Sequence, residues 1–285
     1  MVGRKRMKVS HADDLSYDEN PLPHRAGKIA FKYLLEGEPL TADNYSAVLS
    51  RESASFFSPR HRHPWDQVRY CIDGSVPIAP RVSIDAGEVG YFPEGVRYGP
   101  QEGDADRLVL VVQFGGASGQ GYLGYDQVKA GQRELLSEGA FERGVFKRKP
   151  GSKGRKNQDG YEAVWQHVMG CPVHYSPPRF KGPVVMQPQN YGWVGCEGLQ
   201  GVRRKPLGSF SERNVGIEFQ AIDEGISLEL VPSKDRRLIF FTSGEGIPYK
   251  RHTAVSLEPG EALLLTAETP TEFLLITLPL VRKGL

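Results

Sequence analysis

The sequence predicts an all-β chain: two jelly-roll barrels with a short helical and irregular connecting region. Three observations carry this reading. Gly 33 and Pro 21 in 285 residues supply turns at a rate suited to many short strands. Between Tyr45 and Phe114 about seven short strands follow one another, around 45–51, 53–58, 60–64, 67–73, 80–84, 88–92 and 107–114. Turn signals such as Asp73-Gly74, Asp85-Ala86-Gly87 and Glu102-Gly103-Asp104 separate most of them. From Val215 the strand pattern returns, and the chain is long enough for two units of about 140 residues each.

Taken in order, residues 1–40 form an N-terminal arm. Residues 1–27 are polar and broken by Asn20-Pro21-Leu22-Pro23; Ala30 to Leu35 suits a strand, and His11 and His24 read as surface histidines. Residues 41–118 make the first barrel. In its last strand Leu108, Leu110 and Val112 share one face and Val109, Val111 and Gln113 the other, both largely apolar, as in a central strand. Residues 119–212 connect. Asp126 to Glu138 reads as a helix, and the basic run Lys147 to Lys156 as a solvated loop without aromatic residues for base stacking. Asn157 is placed to cap a second helix, whose Tyr161, Val164, Trp165 and Val168 form a core stripe that Gly170 ends. His167 lies off that stripe. Pro172 to Pro206, with Tyr175, Phe180, Tyr191 and Trp193, reads as irregular strands in which His174 stands alone. Residues 213–285 make the second barrel: Ile226, Leu228 and Leu230 alternate with polar neighbours, and Arg237 to Thr242, Ala262 to Thr266 and Phe273 to Leu278 follow as strands.

Charge and cysteines exclude several classes. Lys+Arg 36 against Asp+Glu 34 leaves no electrostatic footprint for nucleic acid or an acidic membrane. Cys71, Cys171 and Cys196 form no CxxC pair, which favours a reduced, cytoplasmic chain. The basic start lacks the apolar stretch of a secretory signal, and runs such as Leu108 to Val112 are far too short to span a bilayer.

The chemistry concentrates between Ser58 and Glu102. His61 and His63 have the spacing that puts two side chains on one face of a strand; Gln67 follows four residues after His63 and Gly74 seven after Gln67. Gly87, Pro93, Gly95 and Tyr98 come next. These two blocks resemble the two signature motifs of the cupin superfamily. His61, His63 and Gly74 fit the first, with Gln67 where a Glu belongs and Ser55 in place of the leading Gly. Gly87, Pro93 and Gly95 fit the second, with Tyr98 in place of a third His and Glu102 in place of an Asn. A weaker copy of the pattern follows: Gly244 lies seven after Arg237 and Gly260 matches Gly87, which carries the ligand positions onto Val231, Ser233, Arg237 and Thr271. The chain is thus similar to a bicupin, two cupin-type jelly-roll barrels with an eroded second copy.

The resemblance implies a divalent-metal site made by His61, His63, Gln67 and Tyr98, holding Fe, Mn, Ni, Cu or Zn. Gln67 brings a neutral amide instead of a carboxylate, and Tyr98 a phenol with an ordinary pKa of about 10. Asp66 is the nearest carboxylate, but strand parity sets it opposite Gln67. The same parity sends Arg69 and Cys71 inward with Gln67. An inward arginine needs an acidic partner inside the barrel or an anionic ligand. Two functions follow. One is a metal-dependent enzyme of dioxygenase, isomerase or lyase type acting on a small anionic or aromatic molecule, with Tyr98 and Arg69 as catalytic residues and Tyr91 and Phe57 as apolar walls. The other is a non-catalytic protein that binds a small molecule, its metal site lost or weakened. The expected partners are a small-molecule ligand and, through open sheet edges, a second copy in a homodimer; no nucleic acid and no membrane.

Overall fold

Strand β1 (Lys8–His11) is the first of the described elements, and its strand partner lies far along the sequence. The computed structural model describes residues 7–19, 22 and 24–281. They form two compact units: Tyr17–Met186, and the residues up to Ser16 together with those from Gln187 onward. The boundaries read from the sequence, at 40, 118 and 212, stand beside these divisions at Ser16 and Met186.

The first unit runs through β2 (Ile29–Glu36), β3 (Tyr45–Glu52), β4 (Trp65–Asp73), β5 (Ser75–Ala79), β6 (Val82–Asp85), β7 (Val89–Phe92) and β8 (Arg107–Gly115). Then come α1 (Tyr125–Leu135), β9 (Gly139–Glu142), β10 (Val145–Arg148), β11 (Asn157–Asp159), α2 (Gly160–Met169) and β12 (Val184–Met186). A six-stranded antiparallel sheet takes the order β12-β7-β4-β8-β3-β2. β8 is central, as its two apolar faces predict, and only Leu108 and Gln113 along it are not fully buried. The expected strands at 53–58 and 60–64 are instead extended segments tied by single bridges: Ala26 to Phe57, Ser58 to Gln101 and His61 to Tyr98. Pro59, Pro64, Pro93 and Pro100 interrupt the amide donors on both sides, so no continuous ladder can form there. β5 was not legible as a strand because Pro77 sits within it; it pairs with β6 through a shift in register beside that proline.

Gly74 turns the chain from β4 into β5 at φ +79, where a Cβ would meet Asp106 O at 2.8 Å. Gly95 has φ +78, and a Cβ there would meet Ser176 O at 2.2 Å. The Gly/Pro frame is thus a set of backbone requirements. α2 begins at Asp159, whose Oδ1 accepts from the amides of Tyr161 and Glu162, both at 3.0 Å; the cap is two residues later than Asn157. Gly170 ends the helix at φ +67. The stripe of α2 does pack as core, with Trp65, Tyr122, Leu123 and Val128, so both helices belong to the first barrel unit.

The second unit comprises β1, β13 (Val194–Cys196), β14 (Leu199–Phe210), β15 (Val215–Ile222), β16 (Ser227–Leu230), β17 (Arg236–Ser243), β18 (Gly246–Ile247), β19 (Thr253–Leu257), β20 (Leu263–Ala267) and β21 (Thr271–Leu278). A seven-stranded sheet, β1-β19-β17-β21-β15-β14-β13, faces a three-stranded one, β16-β20-β18. The run β19-β17-β21-β15-β14 repeats the order β7-β4-β8-β3-β2 of the first unit, so the duplication lies in the topology. By that correspondence Gly260, which leads into β20 and its pairing with β16, matches Gly95, which leads into the His61–Tyr98 bridge, and not Gly87 as the spacing had it.

Candidate functional site

β4 carries the site. Its pairing sets Gln67 opposite Phe92 and Val68 opposite Tyr91, so the two faces of the sheet are fixed by register. Gln67, Arg69 and Cys71 point to the interior with Phe92. Asp66 points the other way, where its carboxylate accepts from Tyr91 OH at 3.0 Å and from the Glu94 amide at 2.7 Å. Asp66 is therefore no part of the site; burial raises its pKa to about 7. Tyr91 is not a wall of the site either, and Phe57 turns toward Arg143, its ring 4.8 Å from the guanidinium. Their neighbours Phe92 and Phe56 take the inward places: Phe92 packs on Tyr98 at 4.7 Å, and Phe56 lines the cavity.

Four of the residues singled out in the sequence meet at one atom, the hydroxyl of Tyr98. His61 Nε2 is 3.0 Å from it, His63 Nε2 2.8 Å, and the side-chain amide of Gln67 donates to it at 2.7 Å. Arg69, the fifth, lies 3.4 Å away through Nη2. All five are buried. The Gln67 oxygen is turned away and accepts from Gln113 at 3.2 Å, whose own oxygen accepts from Tyr125 OH at 3.2 Å. His61 Nδ1 is 2.6 Å from the Pro59 carbonyl.

Burial dominates the electrostatics. It lowers the pKa of His61 to about 3, helped by Arg25, and takes His63 well below the usual imidazole value, helped by His61 and Arg25. It raises the Tyr98 phenol, with Arg69 and Gln67 opposing. The centre is therefore a neutral phenol among neutral imidazoles. Arg69 is 6% exposed and, among the described residues, meets no carboxylate; its Nε and Nη1 have no hydrogen-bond partner there. Glu52, the acid lining the cavity, is held by Arg107 at 2.7 Å.

A dication would fit this arrangement poorly. The point on which two imidazoles converge is already taken by a phenol oxygen at hydrogen-bonding distance, well beyond the ~2.0–2.1 Å of a metal–nitrogen bond. Gln67 presents its amide nitrogen, which cannot ligate, and Arg69 adds positive charge. Among the described residues no three of His, Cys, Asp and Glu come together to hold a metal.

Beside this cluster lies a cavity of about 60 Å³, lined by Phe31, Phe56, Trp65, Tyr122, Tyr125 and Tyr161 among others. Sequence reasoning missed three features of it. His24, read as a surface residue, is 2% exposed and lines the cavity, its ring 6.0 Å from Tyr161; burial lowers its pKa to about 3. Gln101 lines it too, with no partner for its amide nitrogen. Tyr161, read only as core, supplies a wall from the first turn of α2. The parity of Tyr161 on its helix gave no hint of this, since one stripe can serve core and cavity together. In the second unit the equivalent interior is filled by Leu228, Leu230, Phe241, Tyr249, Leu265 and Phe273. Of the positions carried onto it, Val231 is exposed, Arg237 bonds the carbonyl of Glu261 at 3.0 Å and Thr271 accepts from Tyr249 at 2.9 Å.

The chain matches no family model and no curated protein by sequence. Its fold does match solved structures. A candidate dioxygenase from Nostoc punctiforme aligns over 99% of this chain and 86% of its own, at 10% identity and a TM-score of 0.63. Oxalate decarboxylase from Bacillus subtilis, described with Mn(II) centres, aligns over 100% and 80% at 12% identity and 0.57. An enzyme from Streptomyces albus, described with 2-hydroxyethylphosphonate and Fe(II) bound, aligns over 98% and 77% at 10% identity and 0.57. At these identities the likeness speaks for the fold alone, an all-β chain of two jelly-roll barrels.

Proposed function

We propose, from the premise of a bicupin fold, that the N-terminal barrel binds a small organic anion without a metal. Arg69 receives the negative charge, and Tyr98 holds His61, His63 and Gln67 in a closed ring beside it. The observation that carries this reading is the position of the Tyr98 hydroxyl, 2.7–3.0 Å from the three groups that would otherwise surround an ion. A buried guanidinium with two unpartnered nitrogens supports the anion: a charge out of water costs several kcal/mol unless a counter-charge meets it. The unpartnered amide of Gln101 adds a donor. The cavity is small, with room for about two to four waters, so the ligand has only a few heavy atoms.

The neighbours described with Mn(II) and Fe(II) keep a metal-dependent, dioxygenase-type enzyme as the competing reading. Metal analysis of purified protein, beside calorimetric titration with acetate at neutral pH, separates the two. Metal far below one equivalent, with acetate binding that disappears in Arg69→Met, supports the anion site. One equivalent of tightly held metal that is lost in His61→Ala overturns it.

A further inference from the structure

The hydrogen-bond distances around Tyr98 fix where each proton sits. The Pro59 carbonyl can only accept, so His61 Nδ1, at 2.6 Å, carries hydrogen. A second hydrogen on Nε2 would make His61 a buried cation beside Arg69 with no carboxylate in contact, so Nε2 is bare. Two lone-pair atoms do not lie 3.0 Å apart without a proton between them. The single hydroxyl hydrogen of Tyr98 therefore points at His61. The Tyr98 oxygen is then an acceptor, through its two lone pairs, for its two shortest remaining contacts. Gln67 donates to it from its amide nitrogen, while its amide oxygen accepts from Gln113. His63, at 2.8 Å, must donate as well, from Nε2–H.

A neutral His63 with hydrogen on Nε2 has a bare lone pair on Nδ1. That nitrogen is buried and has no partner, and His63 lines the cavity. The other orphaned atoms around the cavity whose roles are fixed are donors: Arg69 Nε and Nη1, Gln101 Nε2 and Trp65 Nε1. The carboxylate of Glu52 is already taken by Arg107 and by Ser50.

Building on the anion-site reading, we infer that His63 Nδ1 selects the ligand. The pocket is made for a small carboxylate that also carries a hydroxyl or N–H, its anion on Arg69 and its hydrogen given to His63. A simple 2-hydroxy acid has both features, and its few heavy atoms match a cavity of about 60 Å³. A plain carboxylate of the same size leaves the His63 lone pair buried and unmet, which is the costly half of a hydrogen bond.

Two measurements test this. Nitrogen-15 spectra of histidine-labelled protein at neutral pH should show His63 as the Nε2–H tautomer and His61 as the Nδ1–H tautomer; the reverse assignment for His63 overturns the inference. Calorimetry with glycolate and acetate, a pair that differs by one hydroxyl, should give glycolate about tenfold tighter or more, and both should be lost in Arg69→Met. Equal affinities overturn the role of His63 while leaving the anion site in place. If neither binds, the anion site itself falls.

Discussion

Arg69 and Tyr98 show how much one side chain can decide. Among the described residues Arg69 has no acidic partner, so without an anion the fold bears its desolvation cost. Arg69→Met, close to it in length and apolar, should raise the stability of the ligand-free protein by about 1–3 kcal/mol while removing anion binding; urea unfolding checks the first and calorimetry the second. A native-like stability together with retained binding would contradict both roles. Tyr98 behaves in the opposite sense. Its hydroxyl is the shared partner of His61, His63 and Gln67, so Tyr98→Phe strands three buried polar groups and should cost about 2–4 kcal/mol. Tyr98→Ala empties the point where two imidazoles converge, and a gain in Zn²⁺ affinity over the parent chain is expected by competition with a chelating dye. Much of this was legible in the sequence. The period of a strand alone sends Gln67, Arg69 and Cys71 to one side and Asp66 to the other. What could not be read was reach: the length of a tyrosine against that of a histidine decides whether its tip stops short of the centre or sits in it. His24 was illegible for a related reason, since residues distant in sequence, Tyr161 among them, surround it.

At the scale of elements, the N-terminus of α2 joins helix and cavity. Asp159 caps the helix through Oδ1 and binds Arg25 through Oδ2 at 3.0 Å, while Tyr161 two residues on forms a wall. Asp159→Ala removes a cap, typically worth ~1 kcal/mol, and leaves Arg25, whose side chain is 4% exposed, without its carboxylate. A loss of about 3 kcal/mol or more by thermal or urea unfolding is expected, with Asp159→Asn recovering the cap but not the ion pair. The helices were visible from their stripes and from Gly170. Their place was not, because periodicity says which face is buried but not against what. The strands expected at 53–58 and 60–64 erred in type for a local reason, the prolines that leave isolated bridges in place of a ladder.

For the molecule as a whole, buried neutral histidines set its response to acid. His24 and His61 have folded pKa values of about 3, and His63 also lies well below an ordinary imidazole. The unfolded chain takes up these protons near pH 6.5 and the folded one does not, so stability is complete above that pH and falls as pH drops toward 3. Each histidine contributes a slope of up to about 1.4 kcal/mol per pH unit. Asp66 has the opposite sign: its folded pKa of about 7 exceeds the unfolded value, so it favours the fold at low pH and loses that contribution as pH rises toward 7. Three groups against one leave a net fall, and the melting temperature should decline steeply between pH 6.5 and 4. A flat profile there would mean that the histidines are already charged in the fold. The repeated strand order has a bearing on the interior as well: the same topology holds a polar cluster in one unit and leucine and phenylalanine in the other, so the frame does not dictate what fills it. Finally, Cys71 sits at the inner end of β4, fully buried, its thiol pushed up to about 12 by burial. At neutral pH it is protonated and shielded, whereas Cys171 is exposed. An alkylating reagent will therefore modify Cys171 at once and Cys71 only when the roll around it comes apart. With Cys196, half-buried in the second unit, replaced by serine, the slow phase of that reaction is a built-in clock for the opening of the N-terminal barrel, and a bound anion should slow it.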